Sequence, residues 1–288
     1  MKVIVQPEDG VGPVVAAIDG AKKSIDIGIF RLDRGDIAKA LKAAVDRGVP
    51  VRTLIAHTNT GGEKRLRKLE KKLLETGATV ARTDDDLVRY HNKLMIVDRK
   101  VLYVLGFNYT STDIKKSRSF GVVTKKRELV SEALKLFEAD LQRQPYTPGV
   151  PTFLVSPLNA RERLARLLKG ARKHLLVYDP KLTDPLMIRI LQERERAGVD
   201  VRILGRLAKR GSGLTAERFP GKRLHVRAII QDGRRAFVGS QSLRKLELDG
   251  RREVGVIVKD PSIVSRLSEI FEQDWSHTDQ GKHHKKGN

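Results

Sequence analysis

The sequence contains no cysteine among its 288 residues. Disulfides, thiolate metal sites and cysteine nucleophiles are therefore excluded together. Aromatic residues make up only 5% of the chain, which argues against an extended base-stacking platform but not against contact with a phosphate backbone. No apolar run approaches the roughly 18 residues that a membrane span requires. The N-terminal residues Met1 to Pro7 lack the apolar centre of a signal peptide. These absences together give a cytoplasmic expectation, with any membrane contact peripheral. Acidic residues are scarce beside basic ones: 35 Asp and Glu against 57 Lys and Arg, a formal net charge of +22. Such an excess suits a polyanionic partner, namely nucleic acid, anionic lipid head groups or phosphorylated substrates. Heat adaptation raises both signs of charge, so it explains the density of charge better than the imbalance.

What is present is a repeat. Ser24 to Phe30 reads as a strand, Ile37 to Val45 as a helix ending near Gly48, and Val51 to Ala56 as a second strand. The second half repeats the series with a strand at His174 to Tyr178, a helix starting at Leu186 and ending near Gly198, and a strand at Val201 to Leu204. Amphipathic helices open the halves at Val14 to Lys22 and Leu164 to Lys169. Helices that share Phe-Glu-x-Asp close them, Ala133 to Asp140 and Leu267 to Asp274. Alternation of this kind predicts βαβ units with mixed sheets covered by helices. The expected fold is therefore α/β, in two similar halves related by a pseudo-twofold axis. The Pro- and Gly-rich segment Gln144 to Pro151 marks the boundary, giving halves at 1–146 and 147–280 and a basic, frayed tail at 281–288. The halves differ between their early and late strands. The first has a charged helix, Glu63 to Glu75, and the second an Arg- and Gly-rich stretch, Gly205 to Lys222, expected as a loop or lid.

A second repeat carries the chemistry. His91-Asn92-Lys93 is followed by four apolar residues and Asp98; His225-Val226-Arg227 is followed by four residues and Asp232. Each copy leads into a strand ending in Gly, at Gly106 or Gly239, and then a polar residue: Asn108 in one, Ser240 and Gln241 in the other. Alternation along a strand would aim His91 and Lys93 one way, and His225 and Arg227 likewise. Asp98 and Asp232 fall at the turns, where fixing the turn and the cations is their expected work. One copy arises readily by chance; two copies at matching places in two repeated halves do not. Two imidazoles and two cations suit a phosphodiester. Lys93 and Arg227 can hold its non-bridging oxygens. One imidazole can attack phosphorus to give a phosphohistidine, and the other can protonate the leaving oxygen and later activate the acceptor. That route calls for no divalent metal and no cofactor. Asp84 to Asp86 is expected as a solvated acidic loop, and Trp275, Tyr90 and Tyr109 as packing residues.

At these residues the chain resembles the phospholipase D superfamily, marked by a doubled HKD motif. The resemblance covers residues 1 to 276. It implies two phospholipase D-like halves whose motifs meet at their interface, and His91 as the phosphoryl acceptor with His225 as acid and base. It also implies a phosphate-binding or ordering role for Asn108, and Glu253 as the carboxylate that orients a histidine. The chain departs from the family pattern in three places. Arg227 stands for a Lys, Ser119 stands where the first half would carry its carboxylate, and Gly106-Phe107-Asn108 is one residue short. On the sequence, Glu253 favours His225 as the better-oriented imidazole, so the nucleophile stays open between His225 and His91. The contexts around the motifs look most like bacterial phospholipase D and cardiolipin synthase-type proteins, which implies phosphatidyl transfer to water or an alcohol. A basic surface would reach an anionic membrane at about 1 kcal/mol per cation. The alternatives are a nuclease of the same superfamily cleaving DNA or RNA, and a non-catalytic phosphate-binding module. Arg206, Lys209, Arg210, Arg218, Lys222 and Arg223 are candidates to line a substrate channel. Sequence leaves the oligomeric state unknown.

Overall fold

The computed structural model describes residues 1–58, 63–208 and 213–284, with side chains through 282. Lys209 and Arg210, the side chains of His283 and His284, and the tail beyond lie outside the described residues. In the first half the chain runs β1 (Lys2–Gln6), α1 (Gly12–Asp19), β2 (Ile25–Gly28), α2 (Gly35–Asp46), β3 (Val51–Ile55), α3 (Glu63–Leu74), β4 (Thr79–Arg82) and β5 (Arg89–Tyr90). It continues through β6 (Leu94–Val97), β7 (Val101–Leu105), α4 (Ser111–Lys115), β8 (Ser117–Thr124) and α5 (Arg127–Gln142). The second half runs β9 (Phe153–Ser156), α6 (Ala160–Lys169), β10 (His174–Leu182), α7 (Pro185–Arg196), β11 (Asp200–Leu207), β12 (Thr215–Glu217) and β13 (Arg223–Leu224). It ends with β14 (Ala228–Gln231), β15 (Arg235–Gly239), α8 (Lys245–Asp249), β16 (Arg251–Val258), α9 (Pro261–Trp275) and α10 (Asp279–His284).

The two sheets have one topology. The first orders β1-β8-β7-β6-β2-β3-β4, and the second orders β9-β16-β15-β14-β10-β11-β12. In each, the βαβ pair is parallel (β2 with β3, β10 with β11) and the late meander is antiparallel. The fold is therefore α/β with two mixed sheets. Its alternating strand faces explain the layers. One face of the first sheet packs on α1 and α2 through Ile18, Ile27, Ile37 and Leu41. The equivalent face of the second sheet packs on α6 and α7 through Leu164, Val177 and Leu191. The other faces share a single core: Val104, Phe120 and Val122 meet Val238, Val254 and Val256, with Phe137 of α5 and Phe271 of α9. Trp275 lies in that core, stacked on Phe271 at 5.8 Å between ring centroids.

Counterpart residues keep a constant spacing. They are 150 apart up to Val51 and Val201, and 134 apart from His91 and His225 onward. The change of spacing falls where the first half carries α3. The stretch expected as a loop or lid after Gly205 includes the short strand β12, paired parallel to β11.

Two segments leave their own sheet. β5, just before His91, pairs with β16 of the second half; β13, just before His225, pairs with β8 of the first. The His91 N–H donates to the Arg252 carbonyl at 2.8 Å, and the His225 N–H donates to the Arg118 carbonyl at 3.0 Å. Each histidine is thus hung on the opposite half. Ion pairs repeat the exchange. Arg118 binds Asp274, and Arg252 binds Asp140. These aspartates are the last residues of the two Phe-Glu-x-Asp runs.

Candidate active site

The exchange brings the two motifs together. His91 and Lys93 precede β6, and His225 and Arg227 precede β14, so neither pair is placed by strand alternation as the sequence suggests. What places them is the docked arm on one side and the first residues of the next strand, fully buried, on the other. Lys93 is fully buried, and its Nζ donates to the His91 carbonyl at 2.7 Å and lies 3.1 and 3.3 Å from the ring nitrogens Nδ1 and Nε2. Arg227 donates to the His225 carbonyl at 3.1 Å and to Ser242 Oγ at 3.2 Å. Burial pushes both imidazoles well below the ordinary histidine range, and the charges of Lys93 and Arg227 push each of them further. Both cations therefore act on both rings across the pseudo-twofold axis. Burial likewise pushes Lys93 down to about 8, with Glu253 opposing and Arg227 reinforcing the fall.

The partners of the two rings differ. His91 Nδ1 lies 2.9 and 3.0 Å from the carboxylate oxygens of Glu253, which is fully buried. With the Nδ1 proton facing that carboxylate, Nε2 keeps its lone pair. Burial raises the Glu253 pKa, while Lys93, a hydrogen bond from Ser240 and Arg227 lower it in part. Glu253 thus serves His91, the reverse of the sequence expectation that it serves His225. The reason is the strand exchange: β16 carries Glu253 and receives the His91 arm. His225 Nδ1 instead faces Asp113 Oδ2 at 3.6 Å, too long for a hydrogen bond. Burial works to raise Asp113, but the adjacent His225, two donors of Asn108 and the Arg223 guanidinium outweigh it and leave the acid at about 2. Ser119, at the position equivalent to Glu253, offers only a long 3.4 Å contact to the His225 carbonyl. Phe30 packs edge-on against His91 at 4.6 Å between centroids.

The remaining residues of the motifs divide. Asp98 accepts backbone N–H bonds from Lys22, Lys23 and Ser24, and Asp232 accepts them from Arg172, Lys173 and His174. Both sit at positive φ, 55° and 53°, which aspartate tolerates in tight turns. They lie five residues beyond the motif cations, about 16 Å along an extended chain. They fix the turns and the loops before β2 and β10, and do not touch the cations. Asn108 donates its N–H and Nδ2 to Asp113 Oδ2, leaving Oδ1 buried without a partner. Constant spacing pairs Asn108 with Ser242 and Asp113 with Glu247, and the Ser242 N–H indeed donates to Glu247 at 2.8 Å. Ser240 and Gln241 are therefore not its counterparts. Ser240 bonds the β16 backbone at Val254 and supports Glu253, while Gln241 Nε2 donates to the Leu154 carbonyl in the core of the second half. Gly106 has to be glycine: a Cβ there would stand 2.9 Å from the Phe120 carbonyl and 3.2 Å from that of Gly239, where the halves touch.

Tyr90 is buried and donates to Asp86, and Tyr109 belongs to the first-half core. Among the described residues no group of three or more His, Asp or Glu side chains is arranged to hold a metal ion. No described helix is long and apolar enough to cross a membrane. Two cavities are lined by residues that adjoin the motifs: Phe30, which packs on His91, in one, and Arg223 and Leu224, which precede His225, in the other. One, about 410 Å³, has Phe30, Leu66 and Leu69 in its lining and basic side chains including Arg65 and Lys68. The other, about 360 Å³, is lined by Arg206, Arg218, Lys222 and Arg223 with Pro180 and Phe219.

Paired histidines and cations at the junction of two such halves define a phospholipase D-like protein. The chain belongs to the family described as cardiolipin synthase, PLD-like domain, whose model matches residues 14–141 and 164–275. It is 27% identical over 303 residues to polyphosphate kinase 1 of Chlorobaculum tepidum, covering 92% of this chain but 43% of that protein. It is also 27% identical over 131 residues to the mitochondrial cardiolipin hydrolase of Mus musculus, covering 46% of this chain and 58% of that one. Against phospholipase D of Rickettsia felis identity is 29% over 119 residues, covering 41% of this chain and 57% of that one. The chain thus spans about two fifths of the polyphosphate kinase it matches over most of its own length. Among solved structures, a polyphosphate kinase from Porphyromonas gingivalis shares the fold with a TM-score of 0.76 at 20% identity, over 94% of this chain and 49% of that one. A phosphatidylserine synthase from Haemophilus influenzae does so with a TM-score of 0.71 at 11% identity, over 96% of this chain and 86% of that one.

Proposed function

We propose that this member of the phospholipase D superfamily is a phosphodiesterase or phosphotransferase that works by double displacement, with His91 as nucleophile and His225 as acid and base. The hydrogen bond between His91 Nδ1 and the buried Glu253 carries this reading. It leaves Nε2 neutral and directed, and a depressed pKa keeps it so at neutral pH. The Nε2 lone pair forms a bond to phosphorus, and the bond to the departing oxygen breaks with its electrons leaving on oxygen. The anionic phosphodiester, seated between Lys93 and Arg227, offsets the charges that depress His225, so that His225 takes up a proton with the substrate and supplies it to that oxygen. In the second step an acceptor O–H gives its proton to His225, its oxygen bonds phosphorus, and the P–N electrons return to His91. Lys93 and Arg227 neutralise the non-bridging oxygens throughout.

Substrate class is a second part of the proposal. Relatives that align along nine tenths of the chain are polyphosphate kinases, which supports transfer of phosphate-type groups over phospholipid cleavage. Phospholipid chemistry is the second reading, supported by the half-length likeness to cardiolipin hydrolase and phospholipase D. The mechanism is tested by turnover of bis(4-nitrophenyl) phosphate in EDTA. Nitrophenolate release is expected to persist with chelator and to fall by roughly 10⁴-fold or more in His91→Ala. Activity abolished by EDTA, or undiminished in His91→Ala, contradicts it. Polyphosphate and phosphatidylglycerol vesicles offered side by side separate the two substrate readings.

A further inference from the structure

We infer that the cavity beyond His225, walled by Arg206, Arg218, Lys222 and Arg223, is a subsite for a leaving and acceptor group that itself carries negative charge. The inference rests on the double-displacement reading above and adds the side and charge of one substrate. In-line displacement puts the attacking Nε2 of His91 and the departing oxygen on opposite sides of phosphorus. The departing group therefore lies on the His225 side, where the proton donor stands. By microscopic reversibility the acceptor of the second step enters by the same side. Its O–H proton passes to His225 as its oxygen bonds phosphorus, and the P–N bond breaks with its electrons returning to His91.

The walls of that side are cationic. Arg223 lies two residues before His225 and ties itself to Asp113 at 2.6 Å, so one wall residue of the cavity also holds the carboxylate that faces the ring. Lys222 is held by Glu8 at 3.1 Å. Arg206 and Arg218, both exposed, have no carboxylate partner among the described residues. Two guanidiniums without a carboxylate partner among the described residues line one cavity of about 360 Å³, and they match an anion with forked hydrogen bonds. A cationic choline-type or ethanolamine-type leaving group would meet like charge there. A phosphate-bearing alcohol or a phosphate chain would not.

Transfer from bis(4-nitrophenyl) phosphate to glycerol and to glycerol 3-phosphate, at equal concentration, tests this. Nitrophenolate release reports formation of the phosphoenzyme, and phosphorus NMR reports the two transfer products. Glycerol 3-phosphate is expected to be the better acceptor by at least roughly tenfold. The preference is expected to fall towards unity in the double variant Arg206→Gln, Arg218→Gln. It should survive in Arg166→Gln, which removes an exposed charge from α6 on the outer helix layer. Release with no preference for the phosphate-bearing acceptor overturns the inference. So does a preference that survives the double variant, or one that falls equally in Arg166→Gln. Absence of any nitrophenolate release would instead overturn the double-displacement reading itself.

Discussion

The two halves are copies of one unit, yet they treat their histidines differently. His91 receives a fully buried carboxylate, Glu253, at hydrogen-bond distance; His225 faces Asp113 at 3.6 Å with no hydrogen bond to Nδ1. The clamps that hold the exchanged arms differ in the opposite sense. Arg118 gives two nitrogens to Asp274 and a third to Gln6 and Glu8, and Tyr178 adds a further bond to Asp274. Arg252 reaches Asp140 through one nitrogen at 3.1 Å, leaving its Nε and NH1 and Asp140 Oδ2 without hydrogen bonds. The arm of the proposed acid and base is therefore held by the tighter clamp, on β8. The arm of the proposed nucleophile is held by the looser clamp and oriented by the better carboxylate. The difference traces to residues at equivalent positions, Ser119 in one half and Glu253 in the other, and it supports separate roles for the two histidines in the proposed reaction.

The carboxylates give the largest expected contrast. Glu253→Gln is expected to lower kcat by roughly 10²- to 10⁴-fold, because the amide loses the negative charge and can turn its NH2 to Nδ1, which favours the wrong tautomer of His91. Asp113→Asn is expected to cost only about tenfold. Equal losses in the two variants would erase the division of labour. The clamps come next, and denaturant unfolding measures them. Asp274→Asn breaks a buried, multiply bonded pair and is expected to cost about 3–5 kcal/mol. Asp140→Asn is expected to cost about 1 kcal/mol or less at neutral pH. Burial raises the Asp140 pKa to about 6 in the folded state, above its unfolded value, with Arg252 only partly opposing. Stability tied to that proton is full below the unfolded pKa and is lost as pH rises through about 6. The deficit of Asp140→Asn should therefore shrink across that window. The smallest effect concerns the cations. Lys93 loses its charge as pH rises through about 8, so kcat/KM of the free enzyme should fall there. Lys93→Arg should move that limb to higher pH, making the first motif resemble the second, at some cost in rate.

Much of this arrangement is written in the sequence. The repeat, the two α/β halves and the four residues His91, Lys93, His225 and Arg227 are legible because strand and helix periodicity and motif spacing are local signals. Spacing carries more than the motif alone. The constant interval of 134 residues would have paired Asn108 with Ser242 rather than with Ser240 and Gln241. It would also have linked Asp140 with Asp274 and Arg118 with Arg252. What spacing cannot give is which half a residue serves. β5 and β13 are only two residues each, and they pair across halves because of how the two sheets pack. Glu253 follows Arg252, the residue that receives the His91 N–H, so its allegiance is set by that tertiary pairing. The HKD aspartates fix their turns as the sequence suggests, but the linear motif does not show that a whole strand separates them from the cations they are also expected to hold.

The central claim is that His91, not His225, carries the covalent phosphate. An activated aryl phosphodiester needs no acid for the first step but still needs a base for the second. His225→Ala mixed with labelled bis(4-nitrophenyl) phosphate should therefore give a burst of nitrophenolate and an acid-labile label that accumulates on the peptide holding His91. His91→Ala should give neither burst nor label. Label mapped to His225, or a burst retained in His91→Ala, would contradict the account.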